Sequence, residues 1–471
     1  LQEKKFKSAE EEDQLTIDSK SMLEELKMKG FGNGIVKKLI KSLESVKNIF
    51  LVIGKHIGAV IGSIVDMFAY TSLLIPLLNG VMSIIHKYDL NLDTLPQNFL
   101  GLAVGVGTII AKHGIVEIIN RIKNKFPINP KEVLDDIEVA YTTYGQLSHS
   151  GDNAILIFHA LTGSHLLAGN YEQFHDKTLP WNEELEIGWW DDFVGPEKMI
   201  DTNKYFVVCA NYLGGCYGST GPNNYQMSEE QNFPEITFRD IENTQKELLD
   251  HLGVKVLHAV VGPSIGGLMA LEFAARFPNF VNKIISISSG LKVSTLQLLH
   301  NLEQAYVLNL GSDSKERKKD YLALARMVAH KTYISLELLS KRAKDETEYT
   351  EDYLDNFIKT SEESYMIHQG EKFTERFTNE SYLSIIRGWQ NFRLSESILQ
   401  NIASKDILIL SVDSDVCFYP EQQINLANVL KEQNCNVQIE HFVSEKGHDS
   451  FLLEPSLYES PIKNFLNVRE N

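Results

Sequence analysis

Residues 257–276 read LHAVVGPSIGGLMALEFAAR, and this stretch decides the fold. The apolar run Leu257–Val261 is typical of a buried strand, and Leu268–Arg276 has the pattern of a helix that follows directly. Between them lies the pattern Gly-x-Ser-x-Gly, with Ser264 at its centre. Glycines suit a sharp turn from strand to helix, because side chains there would crowd the strained backbone that exposes the serine. Ser264 is therefore a candidate nucleophile, and a plain glycine-rich turn is the alternative.

A nucleophilic serine at such a turn needs a base and an acid, which in folds of this kind follow the serine in chain order. Asp415 comes just after one strand-like run, and His448 comes just after the next one. His448 would accept the proton of Ser264, while Asp415 would orient the imidazole and stabilise its charged form. Asp413 is a rival for the role of the acid. The order predicts a Ser-His-Asp triad.

The strand-like runs alternate with helical patterns, which predicts a mostly parallel sheet with crossover helices. These runs are Ala154–Phe158, Tyr205–Cys209, Leu257–Val261, Ile284–Ser288, Ile407–Val412 and Val437–Phe442. Together with the serine turn and the order of its partners, they predict the α/β-hydrolase fold. The stretch from Thr295 to Ile398 is rich in helix formers and too long for a loop, so we expect an inserted helical cap.

Two backbone N–H groups are candidates for an oxyanion hole. Ile265 would begin the helix after the serine, and Leu161 lies in a turn after a predicted strand, where hydrolases of this fold place a second donor. For Leu161, a turn without a catalytic role is the alternative. His159 and His165 flank this turn, but no third ligand stands at a suitable spacing, so we expect structural roles and no metal site.

Composition and charge narrow the class of protein. The formal net charge is −18, while residues 1–125 hold 16 Lys and Arg against 13 Asp and Glu, so the negative charge lies in the rest of the chain. An acidic catalytic part should repel nucleic acid. The four cysteines show no C-x-x-C spacing, which favours free thiols in a reducing compartment and indicates no zinc site.

The domain organisation follows from a proline-rich stretch. Phe126 to Pro130 contains two prolines and is expected to be a linker between domains. We expect a helical segment over residues 1–125, a catalytic core over 130–290 and 400–468, and the cap over 291–399.

The N-terminal segment leaves two interpretations open. An amphipathic helix with a basic face is predicted from Ile35, and Met67–Ile85 contains no charged residue. Residues 35–120 could contact a membrane, or they could form a buried helical hairpin. The first twenty residues are charged and do not resemble a secretory signal. We therefore expect a cytoplasmic protein, with membrane association through this segment as the open question.

Further motifs carry a resemblance to a known family. They are Ala140-Tyr141-Thr142-Thr143-Tyr144-Gly145, His159-Ala160-Leu161-Thr162-Gly163, Gly188-Trp189-Trp190-Asp191, Asn211-Tyr212-Leu213-Gly214-Gly215-Cys216, Gly218-Ser219-Thr220-Gly221-Pro222, Thr237-Phe238-Arg239-Asp240, Ala325-Arg326-Met327 and Gly447-His448-Asp449. From about Asp136 to Glu454 the chain resembles the homoserine O-acetyltransferases of methionine biosynthesis. General esterases lack the tryptophan and Gly-Ser-Thr-Gly-Pro motifs.

The resemblance implies a reaction and its participants. It implies acyl transfer from acyl-coenzyme A to the hydroxyl of L-homoserine, with acetyl-CoA as the expected donor and succinyl-CoA as the alternative. The acyl group would pass through an ester on Ser264. No metal and no permanently bound cofactor are implied, and the family pattern suggests a homodimer through the cap helices.

The resemblance also implies roles for individual residues. Ser264, Asp415 and His448 would form the triad, and Leu161 and Ile265 would supply the oxyanion hole. It further implies that Arg326 and Asp449 contact the amino-acid acceptor, in keeping with the affinity of a guanidinium for a carboxylate and of a carboxylate for an ammonium group.

The chain departs from the family pattern in three places. Pro263 and Ile265 replace the usual residues beside the serine and leave the backbone donor in place. Glu303 stands near the position of an expected arginine in the first cap helix, so the preference for acceptor and donor stays open. Residues 1–125 have no counterpart. The alternative functions are an esterase or thioesterase, and a membrane-attached binding protein.

Overall fold

The computed structural model of the protein describes residues 115–122, 126–128, 132–134, 137–171, 179–225, 232–310, 317–346 and 360–467. All of these residues belong to one compact unit. Its centre is an eight-stranded sheet, whose strands in spatial order are Ile115–Ile122 (β1), Ile137–Tyr144 (β4), Phe206–Ala210 (β8), Ala154–Ile157 (β5), Leu257–Pro263 (β9), Val281–Ile287 (β10), Asp406–Val412 (β11) and Asn436–Phe442 (β12). The strands from β8 to β12 in this order run parallel, while β4 runs antiparallel to both β8 and β1.

The strand bounds follow the apolar runs of the sequence closely. They are β1 Ile115–Ile122, β2 Phe126–Ile128, β3 Glu132–Leu134, β4 Ile137–Tyr144, β5 Ala154–Ile157, β6 Val194–Gly195, β7 Ile200–Asp201, β8 Phe206–Ala210, β9 Leu257–Pro263, β10 Val281–Ile287, β11 Asp406–Val412 and β12 Asn436–Phe442. The residues of β5 and β8 are buried throughout. Such strands need apolar residues on both faces because helices cover both sides of a parallel sheet.

Helices connect the strands. They are α1 Phe238–His251, α2 Ile265–Arg276, α3 Thr295–Leu310, α4 Lys318–His330, α5 Leu336–Glu346, α6 Ser361–Arg376, α7 Asn379–Gln390, α8 Glu396–Leu399, α9 Pro420–Glu432, α10 Ser450–Leu453 and α11 Pro455–Asn467. The short 3₁₀ helices are Glu183–Leu185, Gln400–Ile402 and Gly447–Asp449. The predicted α/β-hydrolase class with a mostly parallel sheet is confirmed.

The inserted helices lie between β10 and β11 in the chain. Helix α4 packs against α3 and α6, and α7 packs against α3. Helix α6 begins with a capping box, in which the Thr360 hydroxyl accepts the Glu363 N–H and the Glu363 carboxylate accepts the Thr360 N–H. Helices α3 to α8 make up most of the described residues of this part of the chain, and short non-helical segments join them.

The structure corrects the prediction for the residues before the catalytic core. Residues 115–122 were expected to belong to a helical segment, but they form β1, which pairs antiparallel with β4. Four isoleucines and a valine within eight residues favour an extended strand over a helix. Phe126–Ile128, expected in a linker, forms β2 and pairs with β3. The sheet therefore begins earlier in the chain than the prolines suggested.

The predictions for the rest of the N-terminal segment lie outside the described residues. This holds for the helix predicted from Ile35 and for the uncharged stretch Met67–Ile85. Of residues 35–120, for which membrane contact is predicted, only 115–120 are described, as part of β1. Where the structure describes the chain, no helix is both long and apolar enough to cross a membrane.

Candidate active site

Ser264 lies at the sharp turn between β9 and α2, in a conformation that few residues adopt. Its φ is 58° and its ψ is −128°. A Cβ atom on Gly262 would lie 2.1 Å from the carbonyl oxygen of Gly266, and a Cβ atom on Gly266 would lie 2.2 Å from the carbonyl oxygen of Phe158. Only glycine allows these backbones to approach so closely. The two glycines of the motif therefore make the strained turn that presents the serine.

The three predicted triad residues are brought together by hydrogen bonds. Nε2 of His448 lies 2.8 Å from Oγ of Ser264, and Nδ1 of His448 lies 2.8 Å from Oδ2 of Asp415. All three side chains are buried. The other carboxylate oxygen of Asp415 accepts hydrogen bonds of 2.9 and 2.8 Å from the N–H groups of Cys417 and Phe418. The acid is thus fixed by its own loop in a position to orient the base.

The rival acid has a different partner. Oδ1 of Asp413 accepts a hydrogen bond of 3.0 Å from the N–H of Ser444, which ties the loop after β11 to the loop after β12. Asp415 holds the position beside the imidazole. The choice between the two carboxylates, which the sequence left open, is therefore decided by the path of the loop.

The environment of His448 changes its acidity. Burial alone would lower the pKa of the imidazole, but the carboxylates of Asp415 and Asp449 more than offset this effect, so that the pKa lies above its usual value. A carboxylate 2.8 Å from Nδ1 favours the imidazolium form. His448 can therefore take up a proton from Ser264 and hold it during a reaction.

The two predicted oxyanion donors lie at the ends of elements beside Ser264. Ile265 is the first residue of α2, so its N–H has no acceptor four residues earlier in that helix. Leu161 is the second residue of the turn that the Gly163 N–H closes on the Ala160 carbonyl at 3.0 Å, so its own N–H takes no part in the turn. Contact between Gly266 and Phe158 brings this turn against the serine turn.

Arg326 lies on α4 with unused hydrogen-bond donors. Its guanidinium carbon lies 4.9 Å from the ring centroid of Tyr333 and 4.8 Å from that of Phe373. Its Nε and Nη1 atoms are buried and have no hydrogen-bond partner in the described part of the chain. A half-buried cation whose Nε and Nη1 donors are free and which packs on aromatic rings is suited to bind a carboxylate.

Asp449 lies next to the base and close to this arginine. Burial raises the pKa of its carboxyl group to about 6, against the opposing effects of His448 and Arg326. Its N–H donates to the carbonyl of Tyr333 at 2.8 Å. Tyr333 thus contacts both Asp449 and Arg326, and its ring centroid lies 6.3 Å from that of His448. The structure brings the expected acceptor-binding pair to the triad.

The two histidines near the turn Ala160–Gly163 are buried among protein groups. The ring of His159 stacks on Tyr212 at 3.6 Å between centroids, and the Tyr212 hydroxyl donates to the His159 carbonyl. Burial lowers the pKa of both His159 and His165 to about 3, so both are neutral at physiological pH. Among the described residues, no three potential metal ligands come together.

Several side chains that support the site had no role in the sequence analysis. The Trp190 indole N–H donates to the Phe451 carbonyl just after His448, and the Tyr212 hydroxyl donates to the His159 carbonyl. The Arg376 guanidinium donates to the Thr162 carbonyl in the turn that contains Leu161. Trp190 and Tyr212 stand in the motifs that carried the family resemblance, whereas Arg376 does not. Their partners are 261, 53 and 214 positions away, so local patterns could not identify these contacts.

Most of the chain is similar to known proteins. A family model described as "alpha/beta hydrolase fold" matches residues 153–455. The homoserine O-acetyltransferase of Deferribacter desulfuricans is 37% identical over 362 residues, which cover 73% of this chain and 93% of the relative. That of Methanococcus vannielii is 34% identical over 366 residues, or 74% of this chain and 72% of the relative. The chain belongs to the homoserine O-acetyltransferase family.

Solved structures resemble this homoserine O-acetyltransferase family member in fold. The homoserine O-acetyltransferase from Bacillus anthracis has a TM-score of 0.66 at 24% identity, covering 76% of this chain and 99% of the other. Esterase E22 has a TM-score of 0.66 at 23% identity, covering 75% of this chain and 100% of the other. At these identities both likenesses show the fold, which transferases and esterases share.

Two departures from the homoserine O-acetyltransferase pattern now have a place in the structure. Pro263 ends β9 and Ile265 begins α2, so the backbone donor after the serine is retained. Glu303 lies on α3 with an exposed side chain, 3.6 Å from the ring of His300. Glu303, near the position of the expected arginine, is therefore a carboxylate exposed on α3.

Proposed function

We propose that the protein transfers an acyl group from acyl-CoA, with acetyl-CoA as the expected donor, to the hydroxyl of L-homoserine through an ester on Ser264. The observation that supports this best is the continuous chain from Asp415 through His448 to Ser264, with the free guanidinium of Arg326 nearby. Membership of the homoserine O-acetyltransferase family supports the choice of acceptor.

The first half of the cycle forms the acyl-enzyme. Oγ of Ser264 attacks the thioester carbon while its proton passes to Nε2 of His448. The oxyanion accepts hydrogen bonds from the N–H groups of Leu161 and Ile265. The C–S bond then breaks, and His448 returns the proton to the sulfur of coenzyme A. Asp415 stabilises the imidazolium during both proton transfers.

The second half transfers the acyl group to the acceptor. The carboxylate of homoserine pairs with Arg326 and its ammonium group with Asp449, which places the γ-hydroxyl beside the base. His448 takes the hydroxyl proton, the oxygen attacks the ester carbon, and the proton returns to Oγ of Ser264. Atoms and charges balance without a metal or a bound cofactor.

Exclusion of water decides between transfer and hydrolysis. Ser264 is only 4% exposed and His448 only 3% exposed. An acyl-serine in this position meets little bulk water, so a positioned hydroxyl can react first. The transfer reaction requires this shielding, and the dependence of coenzyme A release on homoserine distinguishes it from hydrolysis.

The decisive experiment measures coenzyme A release from acetyl-CoA with and without homoserine, beside Ser264→Ala. We expect release that depends on homoserine, O-acetylhomoserine as the product by mass spectrometry, and loss of both in the variant. Release of free acetate that ignores homoserine would assign the protein as a hydrolase instead. Succinyl-CoA and L-serine, tested in the same way, define the donor and the acceptor.

We also propose that the protein forms a homodimer through the cap helices. Along α3, four large apolar side chains are exposed at helical spacing: Leu299, Leu302, Tyr306 and Leu310. A stripe of this kind is typical of a surface that another chain covers. Sedimentation of the protein and of Leu302→Glu tests the proposal, since the charge would shift a dimer to monomer, whereas a monomeric parent protein would overturn it.

A further inference from the structure

The turn Ala160–Gly163, called the oxyanion turn below, carries the proposed oxyanion donor Leu161. Two of its carbonyl groups accept hydrogen bonds from side chains. Nδ1 of His159 lies 2.7 Å from the Ala160 carbonyl oxygen, which can only accept, so Nδ1 carries the proton of the ring that burial keeps neutral. On the other side of the turn, Nη1 of Arg376 donates to the Thr162 carbonyl at 3.0 Å. The Ala160 carbonyl lies in the same peptide plane as the Leu161 N–H, and the Thr162 carbonyl lies in the plane between Thr162 and Gly163, so the turn is held before and after Leu161.

The two contacts come from different parts of the molecule. His159 belongs to the core, where its ring is stacked on Tyr212. Arg376 is the last residue of α6, a cap helix, and reaches 214 positions along the chain to Thr162. One side of the oxyanion turn is therefore held by the sheet, and the other side is held by the cap.

Arg376 is itself rigidly placed. Its Nε donates to Oε2 of Glu184 at 2.6 Å, and its guanidinium carbon lies 5.1 Å from the ring centroid of Phe373. Its own carbonyl accepts a hydrogen bond from the hydroxyl of Tyr217. The residue is only 9% exposed. A planar guanidinium held in this way loses little further freedom when it fixes the turn.

We infer that Arg376 is a positioning residue, which ties the end of cap helix α6 to the oxyanion turn. The oxyanion hole is then correctly formed only when the cap is packed against the core. The inference rests on the proposed role of the Leu161 N–H. It makes Arg376 a determinant of the rate at which Ser264 is acylated and not of acceptor affinity. An oxyanion donor contributes about 100- to 1,000-fold to kcat, so a turn left loose on one side should lose roughly 10- to 100-fold.

A neighbouring residue provides a matched control. Lys372 lies one turn earlier on α6 and pairs with Glu183 at 3.0 Å and Glu184 at 3.3 Å. It ties the same helix to the same 3₁₀ segment as Arg376 does, but its ion pairs do not involve the oxyanion turn. The comparison of Arg376→Met with Lys372→Met separates loss of the turn contact from loss of the tie between cap and core.

The experiment follows p-nitrophenolate release from p-nitrophenyl acetate, which needs the serine and the oxyanion hole but no homoserine. We expect Arg376→Met to lower kcat/KM for this release by roughly 10- to 100-fold and to leave the homoserine KM of the transfer reaction within about 2-fold. Lys372→Met should stay within about 3-fold in both reactions. Arg376→Lys keeps the positive charge and a group that can donate to the Thr162 carbonyl. It should therefore fold more readily than Arg376→Met and recover part of the lost rate.

Each outcome decides the inference. Unchanged acylation in Arg376→Met would overturn it, and so would an equal loss in Lys372→Met, because the tie would then be structural only. A larger effect on homoserine KM than on acylation would also overturn it. If the parent protein is acylated but ignores homoserine, the proposed acceptor is wrong, while the effect of Arg376 on acylation still stands or falls by itself.

Discussion

The indole N–H of Trp190 donates a hydrogen bond of 2.9 Å to the carbonyl of Phe451, three residues after the proposed base His448 in the chain. Both side chains are buried. The ring of Phe451 lies edge-on to the imidazole of His448, with centroids 5.3 Å apart. A residue of the tryptophan motif thus supports the turn that carries the base.

Trp190→Phe should leave the Phe451 carbonyl buried without a partner. We expect the free energy of unfolding to fall by about 1–3 kcal/mol, and kcat to fall as the base loses its fixed position. Trp189→Phe is the matched control, because its indole N–H donates at 2.9 Å to the carbonyl of Ser164 in a different loop. Urea denaturation and steady-state kinetics measure both effects. Equal losses of kcat in the two variants would contradict the proposed support of His448.

The pH dependence of acylation should report the raised pKa of His448. The base acts in its neutral form, so the rate should rise with pH through a midpoint above the usual histidine value of about 6.5. Asp415→Asn removes the carboxylate that favours the imidazolium, so the midpoint should move to lower pH. In Ser-His-Asp proteases the same replacement lowers kcat about 10⁴-fold, and we expect a loss of similar order. A midpoint that stays in place would exclude Asp415 as the partner.

Asp449→Asn should stabilise the protein at alkaline pH. The folded-state pKa of about 6 exceeds the unfolded value near 3.9, so the folded carboxyl group holds its proton more tightly than the unfolded one. The free energy of unfolding therefore falls as the pH rises from about 4 to about 6, and the full cost of the ionised carboxylate is present above pH 6. The variant should gain on the order of 2 kcal/mol at pH 8 and nothing at pH 4. Urea unfolding at both values measures the difference.

The same substitution provides its own functional control. Homoserine should raise the Tm of the parent protein and have little effect on that of Asp449→Asn, because the neutral amide cannot pair with the ammonium group. An equal gain in stability at both pH values would mean that burial of charge at Asp449 is not its cause.

Arg326 and Arg376 flank the ring of Phe373, with guanidinium carbons 4.8 and 5.1 Å from its centroid, yet they should have opposite kinetic signatures. Arg326→Gln removes the free donors, so the homoserine KM should rise by roughly 10- to 150-fold, as the loss of a hydrogen bond between charged groups predicts. Release of p-nitrophenolate from p-nitrophenyl acetate should be unchanged. A slower release without a change in homoserine KM would remove Arg326 from the acceptor site.

The sequence by itself determined the class of fold and predicted the reacting groups. Buried strands and the glycines around Ser264 are local patterns, and each follows from the geometry of one short segment. The order of serine, acid and histidine along the whole chain is the order that this fold requires. Residues 115–122 show the limit of such patterns. Their β-branched residues favour a strand, but the apolar pattern of the whole N-terminal segment indicated helices, and the strand is established by its pairing with β4.

Only the tertiary structure decided how the groups are held. Asp413 and Asp415 are two positions apart in the same loop, and the path of the backbone selects Asp415 by directing Asp413 to the Ser444 N–H. The contact of Arg376 with Thr162 joins residues from the cap and the core, and it exists only after both have folded. Whether a hydrogen bond forms depends on differences of a few tenths of an ångström in the donor–acceptor distance, and the spacing of residues along a chain does not specify distances so finely.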